Sequence, residues 1–322
     1  MGLIEAVKSV FYKPQKMSRD KAVFVKNLSN KYGEKNFLNN INFIVYKGEI
    51  FSVIGLSGSG KSTLLKTIVG LNRKSNGIVH FFGRNLFFSR GIIGYSPQED
   101  SFYDDLTIIE NIGLFSELYG VSRDKGLRTG SDYLKKLKID SFKDNYPRDL
   151  SGGQRKRLNI ILSSLHHPKL LILDEPFAGL DYYNRRILWD FITSLRNRGV
   201  TIVLTTHLLE EAQNYSTRVL ILKNGRKFAY GTFNTIKERI RFNYLYHIKF
   251  SSLSKKFFQT LKHFSSLKKV KIIYKFRNEV QFALDSADYR DVVNNFLKGK
   301  GRDFKEISLR KPNLDEVMLA SK

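Results

Sequence analysis

The run Gly55-Leu56-Ser57-Gly58-Ser59-Gly60-Lys61-Ser62-Thr63 has the spacing of a loop that grips phosphate. Glycines let the backbone wrap tightly, so that successive N–H groups point inward at phosphate oxygens. The helix that begins near Lys61 adds its positive end. In such a loop the Lys61 ammonium neutralises β- and γ-phosphates and the Ser62 hydroxyl ligates Mg²⁺. A second group, Leu170-Leu171-Ile172-Leu173-Asp174-Glu175-Pro176, is an apolar strand that ends in two adjacent carboxylates. Asp174 is suited to hold Mg²⁺ through water, and Glu175 to polarise an attacking water as general base. Thr205-Thr206-His207 follows the next apolar strand, where His207 would orient phosphate and water together. The other histidines, His80, His166, His167, His247 and His263, read as structural or solvated.

These groups work only if strands deliver them to one edge. Ile50–Gly55, Leu170–Leu173 and Thr201–Leu204 are short, continuous apolar runs. Phe43–Val45, Ile78–Phe82 and Ile92–Tyr95 read as further strands, Ser62–Val69 and Tyr182–Arg198 as helices, and 108–165 as helix-rich. Asn224-Gly225 turns a hairpin between Val219–Lys223 and Lys227–Tyr230. Apolar strands separated by helices predict an α/β fold, a mostly parallel sheet covered on both faces. Ligands of such sheets bind at the carboxyl ends of the strands, where all three groups fall.

Beyond about Asn243 the order changes to strand, helix, strand, strand, helix, strand, ending near Leu309. That is the βαββαβ order of a ferredoxin-like domain. A last short helix is predicted over Asn313–Ala320, with Asn313 as N-cap. Residues 1–20 place Leu3, Ile4, Val7, Val10 and Phe11 at helical spacing, an amphipathic lead-in that docks on the protein body, a partner or lipid.

Composition narrows the class. With 322 residues and 42% apolar content the chain can bury a core, and one large plus one small domain is expected. The absence of cysteine excludes disulfides, iron–sulfur clusters and thiolate zinc sites. The formal charge of +25 favours polyanions, whether nucleotide, anionic lipid or nucleic acid. No run of 18 apolar residues is present, so no spanning helix is predicted. Glu5 and Lys8 break any signal-peptide pattern, and Ala6 breaks the myristoylation pattern.

Leu150-Ser151-Gly152-Gly153-Gln154 opens a helix about twenty residues before the acidic strand. With the phosphate loop, Gln98, Leu173–Pro176, Gly179-Leu180-Asp181 and His207 in that order, the chain from about Ala22 to Lys237 resembles the ATPase domain of ABC transporters. The resemblance implies a P-loop NTPase of ABC type over 21–240. Its mostly parallel sheet would carry an antiparallel β portion and a helical subdomain at about 100–165, with the small α+β ferredoxin-like domain at 241–322. It implies that Ser151, Gly152, Gly153 and Gln154 bind the γ-phosphate of ATP held by a second protomer, a homodimer or a heterodimer closed over two ATP. Asp181 would carry information across that interface, Tyr32 would stack on adenine, and Gln98 would sense Mg²⁺ and couple to a separate transmembrane permease. Tyr182 departs from the proline frequent after the aspartate. Leu118-Tyr119-Gly120, Arg185–Trp189 and Asn313–Leu319 resemble ATPases of the ABC-2 exporter group, which places the chain peripherally on the cytoplasmic face of the cell membrane.

Three functions compete at this stage. The first is the exporter ATPase. The second is a soluble ABC ATPase acting on nucleic acid or ribosomes, for which the basic ferredoxin-like unit speaks, although no aromatic RNA-binding run is present. Specific nucleic-acid binding is therefore not expected. The third is a non-catalytic nucleotide-binding regulator, against which Glu175 and His207 argue.

Overall fold

The computed structural model of the chain describes residues 21–32, 35–238, 244–267, 270–300 and 304–310. The predicted helices at 1–20 and 313–320 lie outside the described residues. Contacts divide the chain into two compact units between Thr232 and Phe233.

The first unit begins with β1 (Lys21–Tyr32), β2 (Lys35–Tyr46), β3 (Ile50–Ile54), α1 (Lys61–Ile68), β4 (Asn76–Phe81) and β5 (Ile93–Ser96). There follow α2 (Ile108–Leu118), α3 (Arg123–Lys136), α4 (Gly152–Leu162), β6 (Leu170–Leu173), α5 (Tyr182–Asn197), β7 (Thr201–Thr206), α6 (Leu209–Tyr215), β8 (Arg218–Lys223) and β9 (Arg226–Gly231).

The main sheet runs β5-β6-β7-β3-β8-β9, parallel from β5 to β8, with β9 returning antiparallel. Asn224 and Gly225 both take positive φ, as a tight hairpin between right-twisted strands demands. β3, β6 and β7 are buried along their whole length. Their side chains divide by parity. Leu171, Leu173, Ile202 and Leu204 join one core with α2, α3, α4 and α5. Leu170, Ile172 and Val203 join a second core with α1 and with β1 and β2.

That second core has a lid the sequence pattern did not reveal. Ile78–Phe82, read as a strand, falls in β4, which pairs with β1 in a separate antiparallel sheet of order β2-β1-β4, the antiparallel portion that the family resemblance implied. Register shifts break the β1–β2 ladder at several points, which blurs the alternation by which β1 would have been read.

The helical region is braced by local chemistry. Thr107 and Glu110 form a reciprocal capping box on α2, and Ser151 and Gln154 form another on α4. Asn159, buried on α4, accepts from Ser101 N–H and hydroxyl and donates to the Glu99 carbonyl. Arg155, one turn earlier, pairs with Asp100 at 2.7 Å. The segment after Gln98 is thereby strapped to the helix that Ser151 caps.

The second unit contains α7 (Phe233–Glu238), β10 (Tyr244–Phe250), α8 (Lys255–Leu267), β11 (Val270–Phe276), β12 (Glu279–Leu284), α9 (Tyr289–Lys298) and β13 (Phe304–Arg310). Its sheet is antiparallel in the order β11-β12-β10-β13, the ferredoxin-like arrangement. Tyr246, Ile248, Phe250, Val280, Phe282 and Leu284 pack with Phe257, Leu261, Val293 and Leu297 of its two helices.

Gly94 on β5 tests how tightly α4 is seated. A Cβ there would stand 2.1 Å from the Ser163 carbonyl oxygen, backbone that cannot swing away. Gly94→Ala is expected to cost about 1–3 kcal/mol by overpacking. Urea unfolding of the variant beside the parent measures it.

Candidate functional site

The phosphate loop spans the gap between β3 and α1. Gly58 and Gly60 hold φ of 77° and 103°, values open to glycine and costly for other residues. The β8–β9 turn closes on the loop from outside. Gly225 N–H donates to the Ser59 carbonyl at 3.0 Å, and Asn39 N–H donates to the Gly225 carbonyl at 2.8 Å. A Cβ on Gly225 would lie 2.2 Å from the Phe37 carbonyl oxygen, so only glycine permits this approach.

Lys61, the first residue of α1, is only 7% exposed. Its ammonium donates to the carbonyls of Gly55 at 2.9 Å and Leu56 at 3.3 Å, and pairs with Glu175 Oε1 at 3.1 Å. These partners occupy the direction that phosphate oxygens would claim.

The acidic pair is built by strand register. Leu173 stands opposite Leu204, which brings Asp174 level with Thr205. Asp174 Oδ1 accepts from Thr205 Oγ1 at 2.7 Å and from Ser62 Oγ at 3.0 Å. Its Oδ2 is buried with no hydrogen-bond partner. Burial raises the Asp174 carboxyl above its ordinary range, and the neighbouring Glu175 charge adds to this; the Thr205 and Ser62 hydrogen bonds oppose it. Glu175 adopts φ of 49°, a left-handed backbone that costs a non-glycine residue about 1–3 kcal/mol. Thr205 Oγ1 accepts from the Glu175 N–H at 2.7 Å and fixes that turn. The strained backbone aims the carboxylate between Lys61 and His207, whose Nδ1 lies 3.1 Å from Glu175 Oε2.

An open cleft of about 1000 Å³ covers these groups. Its walls include Ser57, Gly58, Gly60, Lys61, Ser62, Thr63, Gln98, Glu175 and His207. Gly55 and Ser59 complete the loop beneath it, and Asp174 sits buried behind Ser62. Phe37, Asn224 and Gly225 also line the cleft, and sequence reasoning passed over them as site residues. Asn224-Gly225 was legible as a turn, but its seat on the phosphate loop is a tertiary contact. Thr205 reads in the sequence only as the lead-in to His207, yet it ties Asp174 to the Glu175 backbone. The Tyr32 side chain lies outside the described residues.

Ser151, Gly152, Gly153 and Gln154 lie apart from this cleft. Ser151 and Gly152 are exposed at the tip of α4, and a Cβ on Gly152 would meet nothing within 4 Å. Gly153 abuts Leu180, and Asp181 next to it caps α5 by accepting from Asn184 N–H at 2.9 Å. That bond, with a second from the Asn184 side chain, lowers the Asp181 carboxyl pKa. The loop cleft and the exposed α4 tip are therefore two separate surfaces of this unit.

One buried polar group beside the site belongs to no motif. The Tyr95 hydroxyl, on β5, has no hydrogen-bond partner. Burial raises its phenol pKa, followed by the charges of Asp174 and Glu99.

Comparison with known proteins agrees with this architecture. The sequence pattern of the ABC transporter family matches residues 38–178. An uncharacterized ABC transporter ATP-binding protein of Methanocaldococcus jannaschii is 37% identical over 218 residues, 68% of this chain and 80% of that protein. The Nod factor export ATP-binding protein I of Burkholderia orbicola is 34% identical over 210 residues, 64% of this chain and 69% of that protein. A solved ATP-binding subunit of an ABC transporter matches with a TM-score of 0.63 at 32% identity, over 68% of this chain and 92% of that one. A dimeric ATP-binding cassette in a post-hydrolysis state, bound to ADP and Pi, gives 0.61 at 28% identity, over 65% of this chain and 98% of that one. The chain belongs to the ABC transporter ATP-binding family and is an ATPase subunit of that family. Membership favours transport over the nucleic-acid reading. Among the described residues no helix is long and apolar enough to cross a membrane.

The buried Asp174 has a measurable cost. An aspartate whose folded pKa is raised binds its proton more tightly in the native state, so the charged form lowers stability once pH exceeds the ordinary carboxylate range. Asp174→Asn keeps an acceptor for Ser62 and Thr205 without the charge. The nucleotide-free variant should melt higher than the parent at pH 7. The gain should shrink as pH falls back through that range, where the parent's carboxyl is protonated too. Thermal melts across pH read this directly.

Proposed function

We propose that the chain hydrolyses Mg·ATP between two protomers and powers a separate membrane permease of the exporter type. The observation that carries this reading is the placement of Glu175. It is held by strained backbone between the phosphate-loop lysine and His207, on the wall of a nucleotide-sized cleft. Nucleotide would enter with its phosphates on Gly55–Thr63, displacing Glu175 from Lys61 as the γ-phosphate takes the ammonium. Glu175, once released, is free to act on a water with His207 beside it. A regulator without chemistry would have no use for this strain.

The residues fit Mg²⁺. Among the described residues no three His, Cys, Asp or Glu gather into a metal cage. Mg²⁺ in nucleotide sites is held by one or two carboxylates together with substrate phosphates. Ser62, Gln98 and the unpartnered Oδ2 of Asp174 are the groups that would hold it, Asp174 through water. The ion would neutralise charge on the β- and γ-phosphates.

The isolated α4 tip supports a dimer. Ser151 and Gly152 offer a hydroxyl and N–H groups to an anion, yet they lie outside the chain's own cleft. A second copy, or a related ATPase, would bring its ATP to them, and two ATP would be shared head to tail. ADP lacks the γ-phosphate that bridges the copies, so hydrolysis opens the pair. Likeness to a Nod factor export protein supports an exporter, and with it a peripheral place on the cytoplasmic face of the membrane. The aromatic ladder that links Tyr103, in the segment after Gln98, to Phe115 of α2 and to Tyr119 at its C-cap is the surface on which a permease would seat. The ferredoxin-like unit is an accessory domain in this reading.

Two variants test the proposal. Glu175→Gln should lower the hydrolysis rate about 10²- to 10⁴-fold, the range of general-base catalysis, and accumulate an ATP-bound dimer visible by light scattering. Turnover at the parent rate would remove Glu175 as base. Ser151→Arg should bind ATP as a monomer with parental affinity and fail to dimerise. Normal ATP-dependent dimerisation of that variant would exclude the shared geometry.

A further inference from the structure

The geometry of β5 and β6 points to one more residue that serves the metal-holding carboxylate. The two strands pair in parallel, with Tyr95 opposite Ile172 and Ser96 opposite Leu173. Asp174 N–H continues the ladder by donating to the Ser96 carbonyl at 2.9 Å. Side chains alternate along a strand, so Tyr95, Ile172 and Asp174 share one face of the sheet. That face is the one α1 covers, since Tyr95 and Ile172 pack in the core that holds Leu64, Leu65 and Ile68.

Asp174 Oδ1 is engaged by Ser62 of α1 and by Thr205 of β7. β5 lies on the other flank of β6 from β7. Tyr95 thus reaches the shared face from the side opposite Thr205, and its hydroxyl is buried with no partner. Asp174 Oδ2 is buried with no partner as well. One orphan is a donor and the other an acceptor. Buried polar groups in native proteins are satisfied by protein or by ordered water, and the Asp174 charge lies near enough to act on the Tyr95 phenol, so one buried water between them would serve both.

We propose that Tyr95 is a positioning residue for the metal site: its hydroxyl donates to a water that in turn donates to Asp174 Oδ2. With Ser62 and Thr205 on Oδ1, this fixes the carboxylate plane from both sides. Held in this way, Asp174 would be fixed to receive a metal-bound water. The inference rests on the metal reading of Asp174 given under Proposed function.

Tyr95→Phe removes one oxygen and keeps the ring in its core, so the fold is retained. The experiment measures affinity of the full-length protein for a fluorescent ATP analogue, once in Mg²⁺ and once in EDTA. Outer-shell partners of metal ligands are worth about 10- to 100-fold in metal affinity. Tyr95→Phe is expected to bind about 10-fold more weakly in Mg²⁺ and as the parent does in EDTA. Equal weakening in both buffers would mean that the ring packs and nothing more, and it overturns the proposal. Unchanged affinity in Mg²⁺ overturns it too. Asp174→Asn is run alongside. If that variant keeps the full benefit of Mg²⁺, the metal reading of Asp174 itself fails. If it loses the benefit and Tyr95→Phe does not, the metal reading stands and only the role of Tyr95 falls.

Discussion

Desolvated charge at the carboxyl ends of β3 and β6 is the constraint around which the first unit is built. Lys61 and Asp174 are both nearly buried, and isolated charges at such depth are prohibitively costly. The fold gives them partners, Lys61 the loop carbonyls and Glu175, and Asp174 Oδ1 the Ser62 and Thr205 hydroxyls, while Asp174 Oδ2 is left without one. The parallel alignment of β3, β6 and β7 thus brings these partners together as well as forming the core. Lys61 and Glu175 pair at 3.1 Å, so that each offsets the charge of the other.

The parity of the main sheet connects this site to the rest of the unit. Odd and even residues of β6 and β7 feed different cores, one beneath the helical region and one beneath the antiparallel sheet. Asp174 lies on the face shared with α1, while Glu175 is turned out of the alternation by its left-handed backbone. A one-residue slip of β6 would exchange every core contact and move both carboxylates. Core packing therefore specifies where Asp174 and Glu175 stand. On the other side, Asn159 and Arg155 bind the segment after Gln98 to α4. The segment beyond Gln98, on the cleft wall, and the Ser151 tip consequently belong to one braced piece of structure.

Much of this was legible before the fold. The phosphate loop, the acidic strand end, His207 and the Ser151 helix start each follow from short-range rules of glycine geometry, apolar runs and helix capping. The βαββαβ order of the second unit was equally readable, because its strands and helices alternate cleanly between turn residues. The order β1-β4 was not. β1 is interrupted by register shifts, and β4 shows an apolar run that fits a buried parallel strand as well as an antiparallel one.

A loop of nine residues and two strand ends name their candidate groups from local sequence alone. How those groups are held is a matter of contacts between distant segments. Thr205 ties Asp174 to the Glu175 backbone, Gly225 closes on Ser59 from a distant hairpin, and β5 sets Tyr95 opposite Ile172, two residues before Asp174. The physical reason is range. Capping, turn preference and periodicity act over a few residues, whereas the register between strands far apart in the chain is settled only when both cores are packed.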